Sequence, residues 1–584
     1  MSFFKDLQSK VTTGFESLVD SFGKLNPNQS PRHENSFGPY IKFINADTVS
    51  HKNYYSILVI THDTQAPDLD LSNASHVGQP VLLDTYHHFR FWRFQISTDS
   101  NNAKSTFTYS VLGQSHTVHV PARNDPYKLA FFSCNGFSSD VTPEVEKELN
   151  GITPMWTDIM REHEKEPFHG MIGGGDQLYC DHVLECPALA PWFQIKDKKE
   201  RMAADWTDEM QSQVTEFYFH EYSTHFAKKH FSTALATMPF NFSWDDHDLF
   251  DGYGSYPEYL LESTIFRGLY ASAKRFYLLF QHHTSPVEAK KKGVDKYYGE
   301  KTESTIKQYG PHMAVVMMDV RSQRTLHQCL PPNDWNVLFT QLNSLPATTK
   351  HLIVAATLPF AYPRLPFDNT LSGAAKLTRG VAKSLAKIGL DVHADKFQKS
   401  GLYTNLVNTF GEPELLDDLN DEWTSHHHIE ERDSALKRFQ QLSKEKNIRV
   451  TFLSGDVHVA GAGRFISNAE LKLYPEQDHR LMYQVISSGT GNIPPPAAVV
   501  KGLHHFAEDI KTDANTVEQM IDVFPTDLAG NQTELTHLMD ARNWCCITSP
   551  DKKILVFDIK CEVTRGDIAG VTKTYPVLVP KLAL

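Results

Sequence analysis

Little in this sequence could staple it, anchor it or carry it onto nucleic acid. Its seven cysteines (134, 180, 186, 329, 545, 546 and 561) are odd in number and form no CxxC pair. That argues against a disulfide framework or a structural zinc module and fits a reducing compartment. No apolar run approaches the roughly 18 residues that span a bilayer. The N-terminus has no basic head followed by an unbroken apolar stretch, so no secretory signal is expected. Basic residues number 57 against 70 acidic ones, a formal net charge of -13, the opposite of the basic footprint of a nucleic-acid binder. Repeats and low-complexity tracts are lacking too. The expected location is cytoplasmic, and nothing in the sequence indicates an oligomeric state.

What the chain does have is a change of texture. Its first residues carry Phe4, Leu7, Val11, Phe15, Leu18 and Phe22 at helical spacing, an amphipathic segment over 1–30. It is suited to docking on the protein's own body or, as the lesser reading, to peripheral membrane contact. From 35 to 124, short alternating runs such as "YYSILVITHD" and "KSTFTYSVLG" predict a small β-sandwich. From 125 to 584, apolar strand-like runs alternate with helical patterns, which predicts an α/β domain. Two polar stretches, about 284–310 and 363–420, read as exposed insertions.

The apolar runs of the second region end in residues that bind metals. "KLAFFSC" ends at Cys134, "FHGMIGGGD" at Asp176 with Tyr179 three residues on, and "FNFSWDDHD" at Asp245, Asp246, His247 and Asp248. "MAVVMMDVR" ends at Asp319 and Arg321, and "IRVTFLSGDVH" at Asp456 and His458. Ligands of open α/β sheets collect at such carboxyl ends. Each motif alone has a plain structural explanation. Asp176 could cap a turn, "WDDHD" could be a solvated acidic turn, and Cys134 could be a small core residue. The apolar flanks of "WDDHD" favour partial burial, however, and buried carboxylates require cations or a raised pKa. Hard oxygen donors mixed with imidazole suit divalent metals, and a thiolate suits a softer or redox-capable ion. "GGGDQ" lacks the GK[ST] of a nucleotide P-loop.

Together "SCNGF", "GGGDQLYCD", "SWDDHDLFDGYGS", "DVRSQRT", "DEWTSHHHIEER", "FLSGDVHVAGAGRF" and "GNIPPP…RNWC" resemble the eukaryotic, fungal-type branch of the PhoD-like phosphatases. These belong to the metallo-dependent (calcineurin-like) phosphoesterase superfamily, and the resemblance runs from about residue 38 to 584. It implies a β-sandwich followed by a four-layer α/β/β/α domain. It also implies alkaline-phosphatase or phosphodiesterase activity on a small phosphate ester, with two or more metal ions, iron plus calcium by analogy with bacterial relatives. Carried over by motif, the metal ligands are Cys134, Asp176, Tyr179, Asp246, Asp456 and His458, with Asp245 beside them. His247 takes the place of the catalytic histidine, Arg321 that of a phosphate-holding group, and Asp421 and Trp423 form a site wall. Two departures leave the identity of the metals open: "SCN" replaces the opening Asp-x-His, and "GDVH" the terminal Gly-His-x-His. The expected function is hydrolysis of phosphate esters by a metal-activated water, with Asp176 bridging the ions and His247 protonating the leaving alkoxide. The alternatives are a catalytically silent metal-binding scaffold and a membrane-surface phospholipid-type phosphoesterase.

Overall fold

The computed structural model describes residues 36–139, 141–291, 295–299, 301–364 and 421–584. The N-terminal stripe and all but the first two residues of the 363–420 insertion lie outside them. Among the described residues, no helix is long and apolar enough to cross a membrane.

Two large sheets organise the described residues. The first has eleven strands, and its centre is parallel: Leu129–Phe132, Gly170–Gly174 and Phe240–Ser243 run side by side. The second has nine, with a parallel centre of Met313–Met317, His351–Ala355, Arg449–Ser454 and Met482–Ser487. Every residue of these seven central strands is buried or nearly so, which is why they read as unbroken apolar runs rather than alternating ones.

One apolar cluster joins the inner faces of the two sheets, bringing Phe131 and Ile172 of the first to Val315, Ile353 and Leu453 of the second. A second cluster packs Phe132, Met171 and Phe242 under helices Thr153–Lys165, Asp208–Phe226 and Thr264–Phe276. A third packs Val316, Val354 and Phe452 under Pro332–Asn343 and Ile429–Lys446. The helices form where the sequence caps them. Thr207 and Ser263 accept the first free backbone N–H groups of Asp208–Phe226 and Thr264–Phe276. Val214, Tyr218, Tyr222 and Phe226, spaced four apart, then bury one face.

Two expectations about boundaries change. Strand Ser36–Asp47 runs parallel to Phe240–Ser243, with Lys42 opposite Phe240, and carries Lys52–Thr61 and Phe89–Asp99 with it. The N-terminal strands therefore extend the first sheet, and only Asp70–Ser72, Ser105–Val111 and Gln114–Val120 form a separate one. The stretch 284–310 is not an exposed insertion throughout, since Thr305–Tyr309 is an edge strand of the second sheet, antiparallel to Met313–Met317. Its Lys307 is buried because Asp295 pairs with both Lys307 and the fully buried Lys42. Charge pairing inside the fold accounts for the burial of Lys42 and Lys307 beside Asp295, while Lys290, Lys291, Lys296 and Lys301 stay exposed.

Candidate metal centre

Each metal-competent residue sits just past the carboxyl end of a central strand. Cys134 follows Leu129–Phe132, Asp176 follows Gly170–Gly174, Asp245 and Asp246 follow Phe240–Ser243, and Asp456 and His458 follow Arg449–Ser454. Four of them hold left-handed backbone: Cys134 (φ 51°), Asp176 (φ 52°), Asp456 (φ 67°) and His458 (φ 52°). Such torsions reverse the chain within a residue or two, so the side chain turns back over the strand ends. Gly175 (φ 103°) makes the approach possible, because a Cβ there would stand 2.7 Å from Asp245 Cβ and 3.0 Å from Thr357 Cγ2.

The convergence is tight. Asp176, Asp245, Asp246 and Asp456 each offer an oxygen, all within 4.8 Å of one another. Cys134, Asp176 and His458 form a second such group, and Asp176, Asp246 and His247 a third. Asp176 belongs to all three, and its Oδ2 lies 3.4 Å from Cys134 Sγ. The Tyr179 hydroxyl contacts His458 Nε2 at 3.1 Å, and its ring lies 4.3 Å from that of His247.

So many acids in a buried space repel. Burial, followed by neighbouring charge, holds the Asp176 and Asp456 carboxyls well above the ordinary carboxylate range and raises Asp245 to about 6. Burial pushes the Cys134 thiol up to about 11 and His458 down to about 3, which leaves that imidazole neutral, the form that binds metals. Among the described residues, Asp176 Oδ1 and Asp245 Oδ2 are buried without a hydrogen-bond partner. Buried carboxylate oxygens without a partner are what a cation satisfies, and the donor set of oxygens, imidazole and thiol fits a divalent or softer ion.

His247 is held from behind. Its Nδ1 lies 2.7 Å from Asp181 Oδ1. Burial alone would lower its pKa, but the charges of Asp181, Asp246 and Asp251 outweigh that and hold it well above the usual imidazole value. Asp248 points away from the acidic cluster and ties two loops together. It accepts from the backbone N–H of Asp245 (3.0 Å) and of Gln177 (3.3 Å), and from Gln281 Nε2 (2.9 Å). Gln281 reaches it from a π-helical turn, Tyr277–Gln281, that extends Thr264–Phe276.

Two sequence-based roles are revised by geometry. Arg321 is fully buried, and protein groups take all five of its N–H donors. It donates to Asp245, to Asp246 Oδ1 at 3.2 Å, to Asp421 at 2.8 and 2.6 Å, and to the Tyr253 carbonyl at 3.2 Å. It therefore has no donor left for a phosphate oxygen. Trp423 is fully buried among Trp335 and Phe360 in the third cluster and lines no opening. Conversely, Asp181, Ser488 and Asn492 were not singled out. Ser488 Oγ is 3.2 Å from Cys134 Sγ and accepts from the His458 backbone N–H at 2.9 Å, while Asn492 Nδ2 is 3.4 Å from His458 Nε2. Asp181 lies inside "GGGDQLYCD", five residues after Asp176, and that spacing was the one available signal.

The strand ends of this mixed α/β chain deliver carboxylates, an imidazole and a thiol, donor types that metals take, to one buried cluster. The chain is a phosphatase by family: it belongs to the PhoD related phosphatases, whose family model matches residues 97–385 and 370–575. An uncharacterized protein of Saccharomyces cerevisiae is 28% identical, over 87% of this chain and 80% of that protein. A solved structure of PhoD shares 12% identity and 94% of each chain, with a TM-score of 0.49. A purple acid phosphatase from seeds of yellow lupin (Lupinus luteus) shares 9% identity, over 94% of this chain and 75% of that one, with a TM-score of 0.46. Family membership supports phosphoester hydrolysis.

Proposed function

We propose that the protein hydrolyses small phosphate esters at a centre of two or more metal ions held by Cys134, Asp176, Asp245, Asp246, Asp456 and His458. The observation that carries this reading is the position of Asp176, common to all three donor groups with one buried oxygen unpartnered. A residue so placed would be a ligand shared by the centre as a whole. When bound, such ions supply Lewis acidity, activating water and polarising the phosphoryl oxygens. The thiol of Cys134 favours a softer ion there, which agrees with the iron suggested by resemblance rather than with the calcium, a hard ion that takes oxygen ligands.

The chain's own groups divide the remaining work. His247, kept protonated and oriented by Asp181, is placed to donate a proton to a leaving alkoxide. Tyr179 positions His458 through its hydroxyl and packs against His247. Arg321 acts as a positioning residue, locking Asp245 and Asp246 by neutralising the charge behind them. In this reading the stacking of helices, two sheets and helices is the family's four-layer plan, with the three-stranded sheet as the remnant of the expected sandwich.

The test uses full-length protein, elemental analysis and a chromogenic aryl phosphate and diester. Wild type should contain metal and turn over at least one ester, and Asp176→Asn and His458→Ala should reduce turnover to background while remaining folded by circular dichroism. Metal content with no hydrolysis of either ester, or unchanged turnover in both variants, would remove the hydrolase reading.

A further inference from the structure

A second group of donors stands apart from this centre. Cys329 follows the loop that carries Arg321, and His428 and Glu431 lie at the start of helix Ile429–Lys446. The Cys329 sulfur, a ring nitrogen of His428 and a carboxylate oxygen of Glu431 all lie within 4.8 Å of one another, Cys329 and His428 being completely buried. Two of the three have ordinary partners. Glu431 accepts from the backbone N–H groups of Cys329 (2.8 Å) and Leu330 (2.9 Å) and from Trp335 Nε1 (2.8 Å). Arg324 Nη1 lies 3.1 Å from Cys329 Sγ. His428 has none: both ring nitrogens are buried without a hydrogen-bond partner among the described residues. An imidazole always carries at least one N–H, and burying it unpartnered is the kind of exception that calls for an unseen ligand.

We propose that Cys329, His428 and Glu431 bind a single zinc-like divalent ion, separate from the Asp176 centre. Sulfur, imidazole nitrogen and carboxylate oxygen are the donor types zinc takes, and three protein ligands leave a fourth tetrahedral position for water. With bonds of about 2.0–2.3 Å, tetrahedral donors stand about 3.5 Å apart, so only a small closure of the present spacing is required. Charge also balances. A thiolate and a carboxylate offset a divalent cation, and the nearby Arg324 guanidinium is already paired with Asp421 at 3.0 Å. Binding releases the Cys329 thiol proton to solvent, and Arg324 stays as a donor to the resulting sulfur ligand. His428, pushed by burial to about 3, is already in its neutral form.

The location suggests what the ion would do. The segment from Asp421 to Glu431 supplies both the Asp421 carboxylate that locks Arg321 and two of the three proposed ligands. An ion here would clasp that segment onto the loop after Met313–Met317 and so fix the charge partner of the site's buried arginine.

The experiment is cobalt substitution in full-length protein carrying Cys134→Ser, which removes the thiol of the first centre. The cobalt form should retain a thiolate-to-cobalt charge-transfer absorption, and adding Cys329→Ser should abolish it. In otherwise wild-type protein, Cys329→Ser and His428→Gln should each lower zinc content by one equivalent per chain. No charge-transfer band in the Cys134→Ser protein, or zinc content unaltered by both substitutions, overturns the proposal. Because the cobalt reading leaves Cys329, His428 and Glu431 intact, it stands even where a substitution of the buried ligands fails to fold. It is also independent of whether the chain hydrolyses esters.

Discussion

Asp181 Oδ1 accepts from two sides, from His247 Nδ1 at 2.7 Å and from the backbone N–H of Asp251 at 2.9 Å. The second bond fixes the carboxylate, and the fixed carboxylate sets the ring of His247. Asp181→Asn keeps the shape but removes the charge that holds the imidazole protonated. It should lower kcat on an aryl phosphate about 10- to 100-fold while changing KM far less, and Asp181→Glu should restore part of the loss. A drop confined to KM would show that Asp181 acts on binding and not through His247.

Arg321 should matter for stability before it matters for substrate. Removing it leaves Asp245 buried without its counter-charge and Asp421 with Arg324 alone, at a cost of about 3–5 kcal/mol. Arg321→Ala should therefore shift the urea midpoint strongly. Arg321→Lys should recover little, because three ammonium protons cannot serve the five contacts a guanidinium makes. Equal stability of the lysine variant and wild type would refute the assignment.

The acidic cluster should make one substitution change sign with metal. Without ions the carboxylates of Asp176, Asp245, Asp246 and Asp456 repel, so Asp176→Asn should raise the melting temperature of chelator-stripped protein. With ions restored, wild type gains the binding term, about 2.7 kcal/mol at a hundredfold excess over Kd, and the variant gains less. Thermal unfolding of both proteins in both states should show the order of stability inverting.

Asp295 should set part of the acid stability. Burial alone would raise its pKa, but Lys307 and Lys42 outweigh that and hold it well below the ordinary 3.8. Folded-state depression means a contribution present above about pH 3.8 and lost as pH falls towards the folded value. Asp295→Asn should cost about 3 kcal/mol near neutrality, by stranding two buried lysines. It should also flatten the decline of stability below pH 4, as followed by denaturant unfolding across pH 2–7.

The metal-competent residues at the strand ends were legible because buried parallel strands read as solid apolar runs, so the polar residue that ends each run stands out. Cys134, Asp176, Asp246 and Asp456 could be found without any coordinates. Ser488 could not, since its contacts run across the fold and its surroundings in sequence are unremarkable, while Asp181 and Asn492 lie inside "GGGDQLYCD" and "GNIPPP" but gain their roles only from contacts across the fold. Arg321 was visible as a charge, but sequence carries no count of the partners a guanidinium already has. The stretch 284–310 misled for the same reason. Lysines and acids in a row look solvated throughout until Asp295 is seen pairing Lys307 with Lys42, which is more than 250 residues away in sequence.

The left-handed torsion at Cys134 bears on whether this chain still works as a catalyst. Aspartate and histidine are tolerated in that conformation, and glycine prefers it, but a cysteine there is unusual. Had the sulfur merely filled space, asparagine or glycine would make the same reversal with less torsional penalty and without burying an oxidisable thiol. A cysteine kept at this torsion is what a cation-holding role for the sulfur would call for.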